Sequence, residues 1–401
     1  MTDSHPDESK ECGDSTSGRR LRIAVLNRIF RPTGGGAERY SIALVEQLAP
    51  RHDIHVFAQQ VEHQWPGVTY HRVVAGPPRP RWINQLWFAL ATWWLTRRGF
   101  DVVHSHENTW HGSVQTVHVV PVKYSLFRQL TRWAKVLRWI RVFTSPRLLA
   151  YLALEHWRYQ PRPDRVVVLA SNTLRPIMEQ AYPQARNALR VVSPGVAAVH
   201  GQTSAQDRID ARVALALPQA GRCVLFVGND YRKKGLSALL QAMRSLPEDC
   251  FLAVVGNAGQ VEGFKEEVKA QGVAQRVFFM GALNAMETAY RAADCLAHPT
   301  LEDTFAMVVL EAMAFGLPVV VSDVRYCGIA ELLTHEVNAL LLDDPRDARG
   351  LSEALRRVLF DASLTEKLVQ AGTEFARLHV WSEQANLQDY IYRFAVAQSS
   401  R

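Results

Sequence analysis

Short apolar runs alternate with longer stretches of helical spacing along almost the whole chain. Runs rich in Val, Ile and Leu predict strands at 22–27 (RIAVLN), 54–58, 101–104, 165–170 and 189–192. Continuous rather than alternating apolar character is what strands covered on both faces require. Between them the pattern predicts a helix from the loop RIFRPTGGGAE to about Leu48, and an apolar, tryptophan-rich helix around Leu86–Leu95. The sequence turns polar and small at about 197–217, and a second series of strands follows at 223–227, 251–255, 277–279, 295–297, 319–322 and 339–342. An amphipathic helix at about 382–395 closes the chain. Strand-helix alternation of this kind predicts an α/β fold of two Rossmann-like, doubly wound domains facing a cleft, with ligands at the carboxyl ends of the strands. The expected division is a disordered polar tail at 1–20, an N-terminal Rossmann-like domain at 21–198, a C-terminal Rossmann-like domain at 199–380, and a C-terminal helix at 381–401 packing back on the first domain.

Composition adds to this picture. At 401 residues the chain exceeds one ordinary core, which favours two domains. The five cysteines are odd in number and show no CxxC spacing, so a reduced, cytoplasmic setting is expected. No run of 18 apolar residues occurs, so no spanning helix is expected. The formal charge of +7 matters less than its placement, because Lys123 to Arg147 holds seven basic residues, no acidic one, and interleaved aromatics. Arg128, Arg132, Trp133, Lys135, Arg138 and Trp139 are the candidate contacts to an anionic membrane surface, which would place the protein peripherally at the inner face of the cytoplasmic membrane. A helix with its aromatic face in the core and its basic face in water has the same composition. RNA stacking would need similar residues, but no RNA module is visible and no nucleic-acid partner is expected.

The segment HPTLEDTFAMVVLEAMAFGLPVVVS (298–322) carries the densest candidate chemistry. Asp303 and Glu311 lie eight residues apart. With a helix starting at Asp303, they would stand about 12 Å apart along its axis, at ~1.5 Å per residue. Between them, the N–H groups of the first turn offer an anion site. The alternative is a capping aspartate and a solvated glutamate. Gly35 and Gly36 open the first helix and allow close backbone approach to an anion, although the loop is not GxGxxG. After the 223–227 strand, Gly228 precedes the cations Arg232, Lys233 and Lys234, which suit a diphosphate without a metal, or form a solvated turn. Ser193-Pro194-Gly195 is a hinge or a cleft contact. His104, His106, His111 and His118 cluster in sequence without a recognisable metal-ligand pattern, so no metal is expected. His118 ends a strand-like run, where it would position a sugar or be a buried, satisfied histidine.

The order GGGAE, DVVHSH, VHVV, SPGV, FVGNDYRKKG, ADCLAHPTLEDTFAMVVLEAMAFGLPVVVSD, GIAEL and Trp381 resembles the retaining glycosyltransferases of family 4, the group 1 transferases of GT-B fold, over residues 21–395. The resemblance implies transfer of a hexose from a nucleoside diphosphate sugar to a glycan or glycolipid acceptor, with no metal or other cofactor. It implies that Asp303 and His118 meet the donor sugar and that Glu311 meets the ribose. Lys234 would meet the diphosphate, together with N–H groups near Thr304, Phe305, Ala306 and Met307. The family's first acid is glutamate where this chain has Asp303, its acidic-loop glycines are Thr304 and Ala306 here, and the arginine after the lysine-motif glycine is Asn229. Thr304 with Ala306, Asn229 and the Ser193–Gly195 turn, together with the basic aromatic insert but not Asp303, are most similar to the lipopolysaccharide-core glucosyltransferases. A nucleotide-sugar epimerase of the same fold and a binding protein with a decayed site are the alternatives.

Overall fold

The computed structural model describes residues 18–32, 35–77, 79–128 and 130–399. Most of the expected polar tail, together with Gly34 and Cys12, lies outside the described residues, as does the side chain of Arg132.

The first half builds a parallel sheet from β1 (Arg22–Leu26), β2 (Asp53–Ala58), β3 (Val68–Arg72), β4 (Val102–Ser105), β5 (Val114–Val117), β6 (Val166–Leu169) and β7 (Leu189–Val191). The second half builds another from β8 (Arg222–Gly228), β9 (Cys250–Gly256), β10 (Val277–Gly281), β11 (Cys295–His298), β12 (Val319–Ser322) and β13 (Leu340–Leu342). Their spatial orders are β3-β2-β1-β4-β5-β6-β7 and β10-β9-β8-β11-β12-β13, all neighbours parallel. Each order reverses direction beside its first strand, which is the switch point of a Rossmann-like sheet, where ligands bind. The fold is therefore α/β with two doubly wound domains. The strand at β3 and a short pairing of Ile29–Phe30 with Gln60–Val61 were absent from the sequence pattern. In β3 the reason is partial burial, since no residue of VTYHR is fully covered.

The helices that matter below are α1 (Gly36–Leu48), α2 (Arg81–Thr96), α3 (Arg132–Phe143), α4 (Pro146–Arg158), α5 (Leu236–Met243), α6 (Met307–Ala314) and α7 (Trp381–Ser399). Helix α7 returns to the first sheet. Trp381, Ala385, Ile391, Tyr392 and Ala395 join the core that holds Ile23, Val25 and Tyr40. The Ser193–Gly195 turn abuts the start of α7 so closely that a Cβ on Gly195 would lie 2.7 Å from the Trp381 nitrogen. Val196 and Val380 pair there, placing the turn in the crossing between the halves.

Candidate functional site

Lys234 and Asp303 come from the loops after β8 and β11, the two strands flanking the second sheet's switch point. Gly228 and Gly235 shape the first loop. A Cβ on Gly228 would lie 2.8 Å from Lys234 Cγ, and Gly235, at φ +82°, passes against the Pro299 carbonyl with no room for a side chain. The stem of Lys234 is thereby folded inward, and its Nζ donates to Asp303 Oδ2 at 2.5 Å. His298, fully buried at the end of β11, lies 3.1 Å from the same oxygen through Nε2. Burial holds His298 below its ordinary pKa, so Nε2–H donates and Nδ1 has no partner. Burial would raise the Asp303 pKa, but the His298 hydrogen bond and the Lys234 charge outweigh it and hold the carboxyl well below the usual carboxylate range.

Only one of the three consecutive cations reaches this centre. Lys233 turns outward to Glu302 at 2.7 Å, and Arg232 lies 5.9 Å from the centre of the buried Phe264 ring. They differ from Lys234 because a turn projects successive side chains in different directions.

The helix begins later than the spacing suggests. It starts at Met307, with Ala306 at φ 77° as its N-cap residue, so 303–306 is loop and the 12 Å helical separation does not apply. Asp303 caps no helix. It pairs by backbone with Cys327 and accepts from the Phe305 N–H at 3.3 Å. Ala306 occupies the left-handed region that glycine holds without strain, at a cost of about 1 kcal/mol. Thr304 reaches the other domain, donating to the His118 carbonyl at 2.8 Å, while its own carbonyl accepts from Ser171 at 2.6 Å. Phe305 is buried in the second core, and its carbonyl accepts from the Ile329 N–H. Met307 spans the cleft, with its sulfur 3.9 Å from where a Cβ on Gly36 would sit. Gly35 is the cap residue of α1.

Glu311 lies just over one turn into α6 and is largely enclosed, its side chain 12% exposed. One carboxylate oxygen accepts from Tyr290 Oη at 2.6 Å, and the other pairs with the guanidinium of Arg39 on α1. That charge raises the Arg39 pKa. Arg39, Tyr290 and His298 were missed in the sequence. Arg39 and Glu311 are 272 residues apart, so no local spacing signals their pairing. Asn172 to Glu331, at 2.8 Å, is a further bond across the cleft.

On the facing domain His118 follows β5 directly, half-buried, with Nε2 2.9 Å from His106 Nδ1 and its ring edge-on to Tyr40. Burial, helped by the Arg158 charge, pushes its pKa down to about 3, so the imidazole is neutral. His104 is tied to Thr116 and Tyr392 inside the core. His111 lies apart from the other three, beside Trp110. Among the described residues no group of three His, Cys, Asp or Glu side chains is placed to hold a metal.

The basic aromatic segment lies elsewhere, on the outer side of the first domain. Trp133, Val136, Leu137, Ile140 and Phe143 form a helical stripe on α3 that faces outward, with Trp133 82% and Phe143 68% exposed. The aromatic face is therefore not core. Among the described residues no acid pairs with Arg128, Lys135, Arg138, Arg141 or Arg147. The nearby Glu155 is committed to the Val122 and Lys123 N–H groups and to Tyr182. Lys123 points inward, to the Ala181 carbonyl.

The family model "Glycosyl transferases group 1" matches residues 207–375, and "Glycosyltransferase Family 4" matches residues 34–198. Phosphatidyl-myo-inositol mannosyltransferase of Mycobacterium leprae is 32% identical over 194 residues, 46% of this chain and 50% of the relative. Lipopolysaccharide glucosyltransferase WaaG of Escherichia coli K12 is 32% identical over 145 residues, 35% of this chain and 38% of the relative. The chain spans about half the length of the curated relatives it matches. A crystal structure of WaaG superposes with a TM-score of 0.79 at 19% identity, covering 91% of this chain and 98% of that one. Anabaena HepE in complex with UDP-glucose gives 0.73 at 18%, covering 95% and 100%. These likenesses show a GT-B fold.

Proposed function

We propose that this chain, which belongs to the group 1, family 4 glycosyltransferases, moves a hexose from a nucleoside diphosphate sugar to a glycan or glycolipid acceptor with retention of configuration. The observation that carries the reading is the convergence of Lys234, the start of α6, and Glu311 along one wall of the cleft, with Gly36 and His118 opposite. Lys234 and the first-turn N–H groups of α6 would meet the charge developing on the leaving diphosphate, fixed electrostatics in the place where other enzymes use a metal. The reading is therefore metal-independent.

Asp303 is held by Lys234 and His298 and is a poor nucleophile in that state. This supports direct attack by the acceptor on the face from which the diphosphate departs. The sugar C1–O bond to phosphate breaks, the acceptor oxygen forms the new bond, and its proton passes to the leaving phosphate oxygen. Neutral His118 would accept from a hydroxyl rather than attract the diphosphate. Glu311 would receive the ribose hydroxyls once Arg39 has released it. The likeness to WaaG supports a place in lipopolysaccharide or other envelope polysaccharide synthesis.

The exposed apolar stripe of α3, with Lys135, Arg138 and Arg141 lacking an acidic partner among the described residues, supports peripheral contact with an anionic membrane, at the cytoplasmic face. No helix among the described residues is long and apolar enough to cross a membrane. Calorimetry with UDP-, GDP- and ADP-sugars tests the donor reading. One of them is expected to bind and to be turned over only when an acceptor is present. Conversion of the donor without acceptor would mark an epimerase instead.

A further inference from the structure

We propose that the trough between α2 and α4 holds a hydrocarbon chain of the lipid acceptor, an inference that rests on the glycolipid reading above. The trough has a volume of about 400 Å³ and is lined by Leu86, Trp110, Ala150, Ala153, Leu154 and Trp157, with no charged group among them. That volume lies within the ~300–1,000 Å³ typical of small-molecule sites, which are mainly apolar.

Helix α2 has no charged residue between Arg81 and Arg97, and apart from Asn84, Gln85, Thr92 and Thr96 its residues there are apolar. Phe88 and Ala89 are buried against the sheet, while Trp87, Leu90, Trp93, Trp94 and Leu95 are exposed. A run of exposed apolar residues of this size marks a surface for a ligand or a membrane, even with Trp87 held by the hydrogen bond its Nε1–H donates to the Val74 carbonyl at 2.8 Å. At its end Arg97 lies 3.6 Å over the Trp94 ring, a cation beside an amphipathic aromatic as at a headgroup boundary. Arg138 and Arg141 of α3, which packs on α4, supply charge complementary to an anionic head.

The acceptor, rather than bulk lipid, follows from reach. Trp110 on the trough wall is four residues from His106, hence within about 14 Å even if the chain is fully extended. His106 bonds to His118, whose carbonyl receives Thr304 from across the cleft. A chain seated in the trough would leave its polar head at the cleft mouth.

The test uses n-dodecyl β-maltoside below its micellar concentration, with maltose as the chain-free control, in calorimetry on the full chain. The wild type is expected to bind dodecyl maltoside one to one and to ignore maltose. Ala153→Trp, at an exposed position on the trough wall, and Leu86→Asp should each weaken that binding at least tenfold. Nucleoside diphosphate binding should be unchanged in both, which separates this result from any failure of the donor reading. Undiminished dodecyl maltoside binding in both variants overturns the proposal. Phosphatidylglycerol vesicles decide the source. Vesicle binding retained by Ala153→Trp supports an acceptor site, and vesicle binding lost in step with the detergent makes the trough a general bilayer anchor and overturns the assignment.

Discussion

The wall of the cleft and the outer face of the first domain use charge in opposite ways. Along the cleft, the charges that line the start of α6 are largely enclosed and answered: Lys234 by Asp303, Asp303 also by His298, and Glu311 by Arg39 and Tyr290. On α3, Lys135, Arg138 and Arg141 have no acidic partner among the described residues and stand next to exposed Trp133 and Phe143. Paired, desolvated charges make a rigid electrostatic frame whose members cannot be removed singly without cost. Unpaired exposed charges contribute little to stability and remain free to attract a partner. The first arrangement suits a reaction and the second suits a surface.

The sharpest way to break this contrast is to remove one member of the frame. Glu311→Ala and Lys234→Ala are each expected to lower turnover by at least about a hundredfold, with the circular dichroism spectrum kept. Near-wild-type transfer by either would dissolve the distinction, because the cleft charges would then be as dispensable as those on α3.

A second test separates buried from exposed titration by pH. His104 is fully buried, and burial first, with the nearby His118 and Arg158 charges, pushes its pKa down to about 3. Its folded value lies below its unfolded one, so the unfolded chain takes up protons first as pH falls below about 6.5. The neutral histidine therefore stabilises the fold fully above about 6.5, and that contribution is lost progressively down to about 3. Between pH 7 and pH 5 the loss from His104 is about 2 kcal/mol. Thermal unfolding should show a lower melting temperature at pH 5, and His104→Gln should flatten that dependence. An unchanged slope would mean that His104 is not held neutral.

How much of this was legible depended on how local each signal is. The buried strands of both central sheets were readable, unlike partly exposed β3, because burial on both faces writes continuous apolar runs into the sequence, as at 223–227 and 319–322. Lys234, Asp303 and His118 were singled out because they follow strands, and the fold brings them to one cleft. The helix start was misread because Ala306 adopts a left-handed conformation that alanine rarely takes, so composition carried no break before Met307. Arg39 was invisible, since its role exists only once α1 and α6 face each other. The tryptophans of α2 were taken for an ordinary apolar helix, and apolar content alone does not say whether protein or something else covers a face.

Arg39 tests whether the enclosed charges are a fixed frame or a closed latch. Arg39→Ala would free the Glu311 carboxylate in the ligand-free chain. If ribose must displace Arg39, the variant should bind the selected nucleoside diphosphate about fivefold more tightly, the lower range of a coupling of ~1 kcal/mol. Calorimetry measures this directly. Weaker binding would mean that Arg39 itself holds the nucleotide, and the cleft would then have a cationic arm on each side.

The smallest expected effect belongs to the outer face. Arg138 carries no partner among the described residues, so Arg138→Ala should leave the melting temperature within about half a kcal/mol of the wild type in stability. A cation near an anionic surface contributes about 1 kcal/mol, so co-sedimentation with phosphatidylglycerol vesicles at low salt should fall about fivefold in the variant. Because the screening length shrinks to ~3 Å at 1 M salt, the difference between variant and wild type should vanish there. The remaining, salt-insensitive binding would report the aromatic stripe of α3. A Trp133→Ala variant should lower that remainder while leaving the salt dependence intact. Equal, salt-independent binding by the wild type and Arg138→Ala would show that the α3 cations are merely solvated, and the outer face would lose its claim to differ from any exposed helix.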